Sequence, residues 1–140
     1  MHSKKLKDGY IVRIKKGEEI IGELTRFCSE NNIKSGSIAG IGATDNVSLG
    51  YFDLDKKEYI EKKFSGKNFE IISMNGNISL VDGKPFAHIH ITLGDSDYSV
   101  FGGHLNSAVV SVTGEITLTL SDGVLERKPD EHSGLNLLNL

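Results

Sequence analysis

The segment from residue 107 to residue 120 constrains the fold more than any other part of the chain. Ala108, Val110, Val112, Gly114, Ile116, Leu118 and Leu120 alternate with Val109, Ser111, Thr113, Glu115, Thr117 and Thr119. Successive side chains of a strand point to opposite faces. The alternation therefore predicts a long strand with one face in a core and the other meeting water, a site or a partner subunit. Further segments near 34–43, 46–53, 58–64, 69–81, 86–93 and 98–101 are rich in β-branched and aromatic residues, and turns such as Asp82-Gly83 separate them. Sixteen glycines against two prolines suit many tight turns between strands. Tyr10–Ile14 is a further short strand candidate.

One stretch departs from this pattern. From Gly17 to about Asn32, Ile20, Ile21, Leu24, Phe27 and Cys28 recur at helical spacing, with Glu18, Glu19, Glu23, Arg26 and Glu30 mostly on the other side. Glu18 and Glu19 suit the positive end of the helix dipole, and Asn31-Asn32 is a reasonable stop. Gly22 inside this helix predicts close packing on a sheet. Cys28, on the apolar side, is expected in the core and not as a nucleophile. One long helix flanking a mostly antiparallel sheet is an α+β fold. At 140 residues the chain is expected to be one domain, 1–140, with irregular segments at 1–8 and 121–140. The apolar tail of Leu135, Leu137, Leu138 and Leu140 is expected to dock on the body or on a neighbour.

Composition excludes several classes. A formal net charge of −3 is a poor start for general nucleic-acid binding, although Lys4, Lys5 and Lys7 with Arg13, Lys15 and Lys16, or Lys56-Lys57 with Lys62-Lys63, could form local basic patches. A single cysteine excludes an internal disulfide and a cysteine-rich zinc site, and fits a reducing compartment. No apolar run approaches the length of a membrane span and no signal-peptide pattern opens the chain, so a cytoplasmic location without membrane contact is expected. Gly40-Ile41-Gly42 is followed by no amphipathic helix, so it reads as a turn between strands and not as a phosphate loop.

The chemistry concentrates in Pro85-Phe86-Ala87-His88-Ile89-His90-Ile91-Thr92 and Phe101-Gly102-Gly103-His104-Leu105, which hold three of the five histidines. On a strand, His88 and His90 share a face at roughly 6–7 Å. A turn at Gly102-Gly103 would bring His104 back over that face. Three neutral imidazoles suit zinc or another divalent transition metal, and they leave a coordination position open. Asn106 and Glu115, with Asp95 and Asp97, are candidates to orient the imidazoles, and Glu115 or Asp95 could act as a base. The alternative is that the histidines are hydrogen-bonded surface or interface groups. His2 and His132 are expected to be incidental.

Gly83-x-Pro85-x-x-His88-x-His90, Gly102-Gly103-His104-Leu105 and Val112-Thr113-Gly114-Glu115-Ile116 together resemble the plants-and-prokaryotes-conserved (PPC) domain. Ser37–Ala43 and the tail residues Leu125-x-Arg127 and Ser133-Gly134-Leu135 look like the same family, so the resemblance runs from about Tyr10 to Leu137. It implies a compact domain built on an antiparallel sheet and assembled as a homotrimer. In plants the domain follows AT-hook motifs in DNA-binding proteins. This chain has no Arg-Gly-Arg-Pro, so DNA binding rests on the family description alone. The expected function is a trimeric domain binding a metal through His88, His90 and His104, with a binding or regulatory role toward a small anionic ligand. The alternatives are a DNA-binding regulator, a metal-dependent hydrolase or lyase on a small substrate, and a purely structural assembly module.

Overall fold

The alternating segment proves to be the C-terminal part of a strand that begins earlier and touches three neighbours. A computed structural model describes all 140 residues. In chain order the elements are β1 (His2–Leu6), β2 (Gly9–Lys15), α1 (Ile20–Glu30), β3 (Gly36–Asp53), β4 (Glu58–Val81), β5 (Lys84–Gly94), β6 (Val100–Leu120), β7 (Arg127–Pro129) and β8 (Asn136–Leu138). The first six strands form one antiparallel sheet in the order β1-β2-β6-β3-β4-β5, and β5 also pairs with β6. Along β6, residues 113–119 pair with β2, residues 104–120 with β3, and residues 100–104 with β5. The sheet therefore closes on itself at the start of β6. β7 and β8 form a small separate hairpin.

The core follows the period-two pattern. Ala87, Ile89, Ile91 and Leu93 of β5, Ala108, Val110, Ile116 and Leu118 of β6, and Val12 and Ile14 of β2 are buried in a cluster of 23 residues. Helix α1 buries Ile20, Leu24, Phe27 and Cys28 against it. Each such aliphatic side chain contributes about 1.5–3 kcal/mol when fully buried. Burial pushes the Cys28 thiol up to about 11, which keeps it protonated and inert. Glu19 caps the helix: its carboxylate accepts from the Ile21 and Gly22 amides at 3.0 and 2.6 Å, and from the Ala108 amide of β6 at 3.0 Å. That one side chain satisfies the open helix end and ties it to the central strand.

Several expectations need correction. The helix is short, 11 residues, and not long. Gly22 is exposed beside its cap and does not pack on the sheet. Residues 2–6, expected to be irregular, form an edge strand on β2, and the tail carries β7 and β8. The breaks expected near 44–45 and 65–68 are β-bulges or register shifts inside β3 and β4, so Gly40-Ile41-Gly42 is no turn. Gly102-Gly103 is not a turn either: both residues lie within β6, opposite Thr92 and Ile91. Around residues 111–113 the pairing with β3 skips a step, and there Val112 is exposed while Ser111 is buried. The tail docks only in part, since Leu140 is 99% exposed. No helix is long and apolar enough to cross a membrane.

Gly102 is required for a steric reason. A Cβ there would lie 2.3 Å from the Ile91 carbonyl oxygen, so any larger residue forces β5 and β6 apart. Gly102→Ala is expected to lower stability by about 1–3 kcal/mol through this overpacking. Urea unfolding checks it: the midpoint should fall with the slope unchanged.

Candidate metal centre

Because β5 turns its aliphatic residues inward, His88 and His90 necessarily point to the opposite face. His104 joins them through sheet closure, since its register partner on β5 is His90. The three rings have centroids 5.3 Å (His88–His90), 5.0 Å (His88–His104) and 5.4 Å (His90–His104) apart. One nitrogen from each lies within 4.8 Å of the others. Ligand nitrogens around tetrahedral zinc are about 3.3 Å apart given bonds of about 2.0–2.1 Å. The nitrogens are thus within about 1.5 Å of that spacing, and three imidazoles are a donor set that fits the ion.

The histidines open onto a cavity of about 640 Å³. Gly50, Tyr51 and Phe52 of β3, Tyr59 of β4, Phe86 of β5, and Leu135 and Leu137 of the tail complete its walls together with Arg127 and Asn136. No aspartate or glutamate lines it. Tyr59 stands edge-on to His104 with centroids 6.1 Å apart, and its hydroxyl donates to Asn106 Oδ1 at 2.8 Å. Asn106 Nδ2 in turn donates to Ser48 Oγ at 3.3 Å. Asn106 thus reaches the site at one remove, by fixing Tyr59. Burial and the nearby Glu61 charge hold the Tyr59 phenol above its ordinary range.

The other predicted partners lie elsewhere. Glu115 pairs with Arg13 and Ile41, roughly 35 Å along β6 from His104 at about 3.3 Å per residue. Asp95 accepts from the Asp97 and Ser99 amides and so shapes the β5–β6 turn. Neither Asp95 nor Asp97 lines the cavity. His2 sits on the edge strand and His132 between β7 and β8.

The residue that spacing could not find is Arg127. It is 7% exposed and its guanidinium donates to Ser79 Oγ (2.8 Å), the Asn136 carbonyl (2.9 Å), Asn77 Oδ1 (3.0 Å) and His88 Nδ1 (3.0 Å). A guanidinium only donates. His88 Nδ1 is therefore the acceptor, and in this arrangement the proton of the neutral ring sits on Nε2. Burial, followed by the charges of Arg127, His104 and His90, lowers the His88 pKa to about 4. His104 is also held below its ordinary range by burial, then His90 and Arg127.

These depressed values keep both imidazoles neutral, the form that ligates metal. They also fix the sign of the pH dependence. Between about 6.5 and 4 the unfolded chain takes up a proton at His88 and the folded chain does not, so folding of the metal-free protein weakens as pH falls through that window. In chelator-treated protein the His88 ring is expected to titrate near 4 by two-dimensional NMR, and thermal melts should drop from pH 7 to pH 4.5. A His88 midpoint near 6.5 would mean that the ring is neither buried nor set against the guanidinium as described.

The molecule can be placed among known proteins on these features. A "putative DNA-binding protein" from Bacteroides thetaiotaomicron is 38% identical, with a TM-score of 0.95 over 99% of this chain and 96% of that one. A metal-containing protein from Archaeoglobus fulgidus is 38% identical, with a TM-score of 0.87 over 97% of this chain and 96% of that one. A plant- and prokaryote-conserved (PPC) protein from Pyrococcus horikoshii is 37% identical, with a TM-score of 0.86 over 99% and 94%. Among curated proteins, the bifunctional protein GlmU of Synechococcus sp. (strain JA-3-3Ab) is 25% identical over 128 residues, and the chain spans 19% of that relative's length. The family model of the Plants and Prokaryotes Conserved (PCC) domain matches residues 1–122, and the chain belongs to that family.

Proposed function

We propose that this chain is a metal-binding domain in which His88, His90 and His104 hold one divalent transition-metal ion, with zinc the best match. The observation that carries the reading is the convergence of three imidazole nitrogens within 4.8 Å at the floor of a cavity. Nitrogen-only donor sets of this kind suit zinc, and three protein ligands leave a position open to a ligand. The description of the Archaeoglobus relative as metal-containing supports it. A bound ion would supply Lewis acidity at the open position. The cavity offers no carboxylate as a general base, which favours binding over hydrolysis or lysis.

Protein purified without a nickel column is expected to contain about one metal ion per chain by elemental analysis. His90→Ala should lose it with an unchanged circular dichroism spectrum, and His132→Ala should keep it. Equal metal in the wild type and His90→Ala would sink the reading.

The same reading includes self-association as a homotrimer. Ile41, Ile72 and Val112 line one shallow groove on the sheet surface and are 57%, 49% and 70% exposed. Thr113 Oγ1 on that groove is buried without a hydrogen-bond partner. An apolar surface of this kind is a common mark of an interface, and a second copy would cover it. Sedimentation is expected to give a trimer, and Val112→Lys should shift it to the monomer while metal content stays the same.

A DNA-binding role has weaker support. The lysines of β1 and β2, with Arg13, are exposed on one edge of the sheet, and the Bacteroides relative carries a DNA-binding description. The formal net charge of −3 opposes it, because affinity for duplex comes mainly from phosphate neutralisation.

A further inference from the structure

The most unusual group in the molecule is a buried cation with no anion beside it. Arg127 is 7% exposed, and all four acceptors of its guanidinium are neutral. None of the ion pairs in the chain includes it. Buried charges are ordinarily paired, because desolvation is otherwise uncompensated. Arg127 lines the histidine cavity, and that cavity contains no carboxylate although acidic residues outnumber basic ones, 19 to 16. Its potential is therefore positive before any metal enters.

Metal loading sharpens this imbalance. If the ion takes His88 through Nδ1, the lone pair that Arg127 uses is gone. If it takes Nε2, the proton moves to Nδ1 and faces a donor. Either way Arg127 loses one of its acceptors and stays beside an added positive charge. This step rests on the proposed metal site; the missing counter-charge does not.

The walls say what kind of anion fits. Phe86 lies under the guanidinium, 5.5 Å from centroid to Cζ, and Phe52, Leu135 and Leu137 add apolar surface. The lining has no lysine and Arg127 is its one fixed positive charge, while Tyr51, Tyr59 and Asn136 offer only neutral donors, which suits a monoanion better than a phosphate dianion. We propose that Arg127 anchors the carboxylate of a small organic acid, whose apolar or aromatic body lies against Phe86 and the tail leucines and whose carboxylate faces the three histidines.

Calorimetric titration tests this with benzoate as the probe, benzamide as its neutral counterpart and inorganic phosphate as the competing oxyanion. Zinc-loaded and chelator-treated protein are both titrated, and metal content is measured on the same samples. Benzoate is expected to bind at least tenfold more tightly than benzamide and more tightly than phosphate, with zinc loading strengthening it. In Arg127→Gln, benzoate affinity should fall to that of benzamide. Because Arg127 also holds Asn136, Asn77 and Ser79, loss of fold in that variant is covered by the benzoate–benzamide comparison in chelator-treated wild type, where no zinc can hold the carboxylate. Equal affinities, no saturable binding, or tighter phosphate binding would overturn the proposal. Zinc uptake with no preference for benzoate would leave the metal reading standing and remove this one. Preference for benzoate without zinc uptake would do the reverse.

Discussion

Closure of the sheet by β6 is the constraint on which everything else here depends. One strand pairs with β2, β3 and β5 along different parts of its length. Only where β5 meets β6 does His104 stand opposite His90. The closing step needs backbones in near contact at Gly102, where a side chain would strike the Ile91 carbonyl. Glu19 reinforces the same strand from the helix side by bonding the Ala108 amide. Core and site thus share their supports, and a distortion of the β5–β6 pairing reaches both.

Electrostatics give the site its character. Three imidazoles and a guanidinium meet in a cavity without a single carboxylate. In water each imidazole would take up a proton near pH ~6.5, but here burial, then Arg127, presses His88 toward neutrality. A metal ion held as proposed would compete with Arg127 for His88, whichever ring nitrogen it took. A pure cation site here would be self-limiting, since two positive charges in a partly desolvated setting weaken each other. An anion shared between them would remove that conflict, so the two proposals describe two halves of one pocket.

Much of this was legible in the sequence because it is local. The period-two patterns of 86–93 and 107–120 and the helical spacing of Ile20, Leu24, Phe27 and Cys28 state their faces directly. His88 and His90 declare a shared face by the same rule. Bulges hid the continuity of β3 and β4, because composition there looks like a turn while hydrogen bonding continues on both sides. Gly102-Gly103 misled for a related reason: glycine marks both turns and close backbone approach, and only the pairing partner tells them apart. β1 was invisible because all of its residues are exposed, so no burial pattern exists to read. Arg127 meets His88 across 39 residues and Ser79 across 48, distances over which spacing carries no information.

The way Arg127 is held bears on how the pocket could respond to a ligand. Its side chain is fixed from β4 by Asn77 and Ser79 and from the tail by the Asn136 carbonyl. Leu135 and Leu137, which flank Asn136, form part of the cavity wall. A charge that settles near Arg127 therefore acts on the residue that fastens the tail hairpin to the sheet. The tail is otherwise joined to β4 by the Leu80 amide, which donates to the Leu125 carbonyl, whereas the bond from the Asn139 amide to the Glu126 carbonyl lies within the tail itself. Leu140 is fully in solvent and Leu137 about half exposed, so this hairpin is thinly packed on the sheet. Elements with few buried apolar contacts open at low cost, and the tail is such an element. The histidines, set on β5 and β6 near the point where the sheet closes, rest on longer runs of strand pairing.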